Sequence, residues 1–230
     1  MKHFILGLGY SDINGHGNPN KQRPLENGDH VFAFKNGMLE QNPVEPIYAK
    51  APWGSTPLRS MADELAGRTG DDVAFAKASN DGKWHDGLQA WDRKSLIETK
   101  AMLQPAFDAG FELTTVVIAS GPGAADTERE VDLFDFWLNR LMHRIERIFD
   151  GDQHFVVVPP HLLTPNRFKD DLVDRLAEIR HDVGPYRDTD VVRSGSNWGQ
   201  ASPLDGSHLD ARGNEMLGHR MAHSIFDDLI

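Results

Sequence analysis

Three side chains in this sequence could together perform nucleophilic chemistry: Ser11 near one end, and Asp205 and His208 near the other. A serine hydroxyl attacks a carbonyl poorly unless a neighbouring base takes its proton. The Asp-x-x-His spacing lets the Asp205 carboxylate bond one imidazole nitrogen of His208 and leaves the other free to accept that proton. The carboxylate would then fix the tautomer and stabilise the imidazolium that forms. Each piece also has a plainer reading. Ser11 can cap whatever follows a glycine turn, Asp205 and Asp210 suit turn and capping positions, and His208 can be a polar loop residue.

The elements needed to bring these groups together are legible in outline. Phe4-Ile5-Leu6-Gly7-Leu8-Gly9 is an apolar run of strand length that breaks into Gly-x-Gly-x-Ser-Asp, placing Ser11 and Asp12 just past a strand end. Open α/β folds bind their ligands at that edge. Glycines there permit a sharp turn and let a substrate approach the main-chain N–H groups. Further strands are predicted at Val73–Ala78, Leu113–Ala119, His154–Val158 and Asp190–Arg193. Helices are predicted from Pro57 to Gly67 or Gly70, from Asp92 to Ala109, from Thr127 to Phe149, around Leu172–Val183, and from Ala211 with Asp210 as N-cap; the evidence is apolar residues at helical spacing and their capping signals. Strands alternating with helices predict a three-layer α/β/α sandwich around a five-stranded parallel, flavodoxin-like sheet. The whole chain, 1–230, reads as one domain. It carries a mostly irregular excursion over about residues 13–56, with a hairpin closing on Asn36-Gly37. Loops of that length commonly shape a binding site, so the excursion is expected to form a wall of the cleft.

Composition narrows the function classes. The 230 residues carry 24 Lys and Arg against 35 Asp and Glu, a net charge of −11 with no basic run. That argues against nucleic acid and against an anionic membrane surface, both of which need clustered cations. There is no cysteine, so a disulfide framework, a thiolate metal site and a cysteine nucleophile are excluded. No stretch has the length and apolarity of a membrane span. No signal-peptide core is visible, so the chain as given is expected to be cytoplasmic.

Taken together, the serine after the first strand, the glycine turn after the second and the Asp-x-x-His before the last helix resemble the SGNH hydrolase superfamily. The likeness is greatest to its carbohydrate-esterase branch, which includes sialate O-acetylesterases and acetylxylan esterases. Gly9-Tyr10-Ser11-Asp12 stands where that branch has Gly-Gln-Ser-Asn. Ala78-Ser79-Asn80-Asp81-Gly82-Lys83-Trp84 is similar to its glycine turn and tryptophan. Asp205-Gly206-Ser207-His208-Leu209-Asp210-Ala211-Arg212-Gly213 matches its last block in full. The resemblance implies Ser11 as nucleophile, His208 as base, Asp205 as its orienting carboxylate, and the Ser11 and Gly82 N–H groups as oxyanion donors, with Asn80 as a weaker candidate. Asp12, Trp84 and Trp198 are the candidate substrate-binding residues. The third block departs from the pattern: Ser120-Gly121-Pro122-Gly123-Ala124-Ala125-Asp126-Thr127 lacks the Gln or Asn that would donate to the oxyanion. Losing one such donor commonly raises the barrier by about 3 kcal/mol.

Other signals are weaker. His219 and His223 lie one helical turn apart but lack the glutamate of a zinc-protease pattern, and a solvated helix face is the simpler reading. Trp53, Trp84, Trp91 and Trp198 fall in or beside loops, where an aromatic can stack on a sugar, although packing is the commoner fate. The expectation is a serine esterase removing O-acetyl or other short acyl groups from a carbohydrate, with no cofactor, no metal and a small-molecule or glycan ester as partner. A carbohydrate- or partner-binding protein with a weakened site is the alternative, and acyl transfer to an alcohol instead of water a third.

Overall fold

The computed structural model describes residues 1–9, 13, 21–45, 47, 54–79, 88, 91–119, 127–159, 171, 174, 176, 189–192 and 209–229. Among these, seven strands form one sheet: β1 (Lys2–Gly9), β2 (Val31–Lys35), β3 (Met38–Gln41), β4 (Asp72–Ser79), β5 (Glu112–Ala119), β6 (His154–Val158) and β7 (Thr189–Val191), in the order β3-β2-β4-β1-β5-β6-β7. The four described helices are α1 (Pro57–Thr69), α2 (Arg93–Asp108), α3 (Glu128–Phe149) and α4 (Ala211–Leu229). None of them is long and apolar enough to cross a membrane.

All five expected parallel strands are present, and their order is that of a flavodoxin-like sheet. The strand count of five is corrected to seven because the hairpin joins the sheet. β2 pairs parallel with β4, and β3 runs antiparallel on the outer edge. The turn between them is the expected one, with Asn36 and Gly37 both at positive φ (53° and 81°), as a two-residue hairpin of matching twist requires. β2 registers against Val73–Phe75, the amino-terminal half of β4. The hairpin therefore widens the sheet by two strands beyond β4.

Alternation along the strands divides the core into two layers. Phe4, Leu6 and Leu8 of β1, with Val116, Ile118, Phe155 and Val157, pack under α2 and α3 through Leu96, Leu103, Leu138, Leu141 and Ile145. Ile5, Phe75, Val117 and Val156 pack on the other face under α1 and α4 through Leu58, Met61, Leu65, Leu217, Met221 and Ile225. α1 and α4 approach closely at Gly218, where a Cβ would lie 2.4 Å from the Pro57 carbonyl oxygen. Trp91 is 6% exposed within the α2–α3 layer, so it is packing and is removed from the sugar-stacking candidates. The helix expected around Leu172–Val183 lies largely outside the described residues; Leu176 is buried in the same layer.

Helix boundaries follow the capping chemistry. Thr56 caps α1 by accepting the Leu58 N–H, Pro57 occupies its first turn, and Gly70 ends it in the left-handed region at φ 72°. Asp92 caps α2 by accepting the Ser95 N–H at 2.8 Å. Asp210 caps α4 as expected, accepting the Gly213 N–H at 2.8 Å.

Candidate active site

The carboxyl ends of the central strands lie in one line. Gly9 of β1 registers with Ser79 of β4 on one side and Ala119 of β5 on the other, and Ala119 registers with Val158 of β6. The chain leaves β1 for β4 by way of α1, on one face, and returns across β1 to β5 by way of α2, on the other. Strand order therefore reverses at β1, and the crevice outside its carboxyl end is where open α/β sheets hold ligands.

The first two candidate blocks attach to this line by chain continuity, and the last leads into α4. Ser11 and Asp12 follow Gly9 by two and three residues, Asn80 and Gly82 follow Ser79 by one and three, and His208 immediately precedes Leu209. Ser11, Asp12, Asn80, Gly82, Trp84, Trp198, Asp205 and His208 themselves lie outside the described residues, as do Ser120 to Asp126 of the altered third block and Trp53.

The described structure explains why glycine stands at both positions of the first block. Gly7 faces α1: a Cβ there would meet Leu58 Cδ1 at 2.6 Å and Ile13 Cγ2 at 2.8 Å. Gly9 has φ +143°, and a Cβ there would lie 2.2 Å from the Ala119 carbonyl oxygen. The first glycine admits a helix and the second a neighbouring strand, so packing alone already requires both.

The ground beside the strand ends is built from buried polar groups that the sequence does not announce. Thr56 Oγ1 donates to the Ile13 carbonyl at 2.8 Å. Asn214, in the first turn of α4, donates from Nδ2 to the Ser55 carbonyl and hydroxyl, both at 3.0 Å, and to the Leu209 carbonyl at 3.3 Å. The Glu45 carboxylate accepts the Thr56 N–H at 2.9 Å and the Ile47 N–H at 2.6 Å. Arg59 reaches from α1 to the carbonyls of Pro43 and Arg23, and Asp63 accepts the Glu26 and Asn27 N–H groups. The described parts of the excursion are thus hydrogen-bonded onto α1. Pro57 is readable as a helix start; nothing in the sequence marks Thr56, Glu45 or Asn214.

Burial pushes the Glu45 carboxyl up to about 7, against the opposing pull of the two N–H donors and of Arg59 and Lys35. A carboxyl whose pKa is raised on folding binds its proton more tightly in the folded state, so its contribution is fully present below about 4.5 and is lost as pH rises through 7. Glu45→Gln is therefore expected to flatten the stability profile between pH 4.5 and 8 relative to wild type, by on the order of 2 kcal/mol. Urea unfolding of both proteins at pH 5 and pH 8 measures this, and parallel profiles would rule it out.

His219 and His223 project toward α1, where His219 Nδ1 is 2.9 Å from Glu64 Oε2 and His223 Nε2 is 3.4 Å from Glu64 Oε1. Burial raises the Glu64 carboxyl, but hydrogen bonds and charge from Arg68 and His219 outweigh it and hold the group below the usual carboxylate range. The pair belongs to an interhelical polar cluster with Glu64 and Arg68. Among the described residues, no three His, Asp or Glu side chains are grouped as metal ligands.

No protein-family model matches the sequence, and no curated protein matches it. Solved structures do. The X-ray structure of a protein from Arabidopsis thaliana is similar over 100% of this chain and 99% of its own, with TM-score 0.80 at 14% identity. A carbohydrate acetylesterase from Xanthomonas citri matches with TM-score 0.60 at 14% identity, over 97% of this chain and 55% of that one. A family two carbohydrate esterase from Clostridium thermocellum, solved in complex with cellohexaose, matches with TM-score 0.55 at 14% identity, over 99% of this chain and 64% of that one. The chain shares the fold of carbohydrate esterases. It spans less than two thirds of the length of these two.

Proposed function

We propose that this protein is a serine esterase that removes O-acetyl or other short acyl groups from a carbohydrate. The observation that carries the proposal is the register of Gly9, Ser79 and Ala119 at the switch point of the sheet, with a candidate catalytic block following directly on each of the first two. The shared fold of carbohydrate esterases supports it.

In this reading Ser11 Oγ attacks the ester carbonyl while His208 takes its proton, and Asp205 holds the imidazole in the correct tautomer. The negative charge on the tetrahedral oxygen is held by the Ser11 and Gly82 N–H groups, with Asn80 as a further donor. His208 returns its proton to the departing sugar hydroxyl, leaving an acyl-Ser11 ester. A water, deprotonated in turn by His208, releases the acid and restores the serine. Asp12, Trp84 and Trp198 would bind the carbohydrate part of the substrate.

The test is acetate release from acetylated xylo-oligosaccharides and from a small acetyl ester, with a serine-directed fluorophosphonate as a covalent probe. Turnover together with probe adducted on Ser11 is the expected result. Probe on another residue would overturn the assignment. Tight glycan binding with neither turnover nor labelling would establish instead the binding protein that the altered third block favours.

A further inference from the structure

Five buried residues join the chain segment that carries Ser11 to the segment that carries His208. Ile13 is two residues beyond Ser11, and its carbonyl accepts the Thr56 hydroxyl at 2.8 Å. Ser55, next in the chain, presents its carbonyl and its hydroxyl to Asn214 Nδ2. The same amide nitrogen reaches the carbonyl of Leu209, the residue after His208. Ile13, Ser55, Thr56, Leu209 and Asn214 are each between 0% and 4% exposed. The Asn214 amide has two hydrogens for three acceptors, so one bond is shared and no donor is left over.

We infer that Thr56 and Asn214 are positioning residues that set the separation between the Ser11 hydroxyl and the His208 imidazole. The inference rests on the triad reading proposed above. The path is short: two residues of chain from Ser11 to Ile13, a hydrogen bond to Thr56, one peptide to Ser55, a hydrogen bond to Asn214, another to Leu209, and one residue to His208. Its ends are anchored on rigid elements, since Thr56 caps α1, Asn214 lies within α4, and the two helices meet at Gly218. Hydrogen bonds sealed from water hold geometry more firmly than exposed ones. A displacement of about 1 Å between reacting groups can lower a rate roughly 100-fold. If these bonds served only to satisfy buried carbonyls, cutting them would lower stability without a selective loss of turnover.

Thr56→Val removes the hydroxyl at nearly constant shape, Thr56→Ser restores it, and Asn214→Leu removes the amide. With a short acetyl ester, Thr56→Val and Asn214→Leu are expected to lower kcat by roughly 10- to 100-fold with KM changed less than about 3-fold, while Thr56→Ser stays within about 3-fold of wild type. Amide hydrogen exchange supplies a readout that does not depend on activity. Thr56→Val should accelerate exchange at residues 207–209, on the far side of the join, as well as at 11–13. Ser55→Ala, which removes one acceptor only, should move both readouts in the same direction by less, and serves if a stronger variant does not fold.

Unchanged exchange at 207–209 in Thr56→Val would overturn the join. Faster exchange with kcat retained, in an enzyme that Ser11→Ala inactivates, would leave the triad standing and overturn the positioning role. Wild-type turnover that survives Ser11→Ala would overturn the triad reading and the positioning role with it.

Discussion

Ser11→Ala and His208→Ala are each expected to lower kcat on an acetyl ester by roughly 10,000-fold or more while leaving the melting temperature close to that of wild type. The magnitude follows from the division of labour. In the proposed mechanism, loss of Ser11 removes the acyl-enzyme, and loss of His208 leaves the hydroxyl with its proton and a poor nucleophile. The double variant should be little worse than either single one, because the two groups act as one unit and the oxyanion donors that remain supply what residual rate there is. Asp205→Asn should fall between wild type and these, since it disturbs the imidazole tautomer but removes neither nucleophile nor base. A double variant slower than either single one by the product of their effects would show that the residues act independently. That result would remove the triad.

The fold could be read from the sequence where local chemistry decides it. Asn36-Gly37 forces positive φ at two consecutive residues, and a hairpin forms there. Pro57 opens α1 because its fixed φ suits a first turn, and of the two glycines proposed for the end it is Gly70 that takes the left-handed conformation. The uncharged run from Thr114 to Ala119 becomes a strand covered on both faces, with Val116 under one helical layer and Val117 under the other. What escaped the sequence is decided by partners distant in the chain. That the hairpin adds to the sheet beside β4 depends on Val31 meeting Val73, which no local pattern records. Arg59, Asp63 and Glu45 look like surface charges in a list of residue types, yet each holds backbone groups of the excursion against α1. Asn214 reads as an ordinary helix residue, and its role is visible only when Ser55, 159 residues away, is brought beside it. For the candidate site, sequence supplied the candidate groups and their order, while the structure supplied the alignment of the two strand ends that Ser11 and Gly82 follow.

Gly9→Ala is expected to damage both stability and turnover. Two separate features of the position act against any side chain. Its φ of +143° is one that an L-residue rarely adopts, and an added Cβ would lie 2.2 Å from the Ala119 carbonyl oxygen and 3.1 Å from its backbone nitrogen and carbon. These neighbours are main chain in a central strand, so they cannot swing aside as a side-chain tip would. Either β1 separates from β5 at its carboxyl end or the residue changes conformation and redirects the chain toward Ser11. Strain and clash of this kind are expected to lower stability by about 3 kcal/mol, or roughly 6–12 °C in melting temperature for a chain of this size. Gly7→Ala is the internal comparison. Its Cβ would press on Leu58 Cδ1 and Ile13 Cγ2, side-chain methyl groups and not main chain, which neighbouring side chains can move to accommodate, so the loss there should be about 1–2 kcal/mol. Thermal melting of the two variants orders them. Turnover separates them further, because a bend forced at Gly9 is passed to Ser11 through two residues. The β1–β5 contact is not what sets the nucleophile if Gly9→Ala melts within about 2 °C of wild type or keeps full kcat on the acetyl ester.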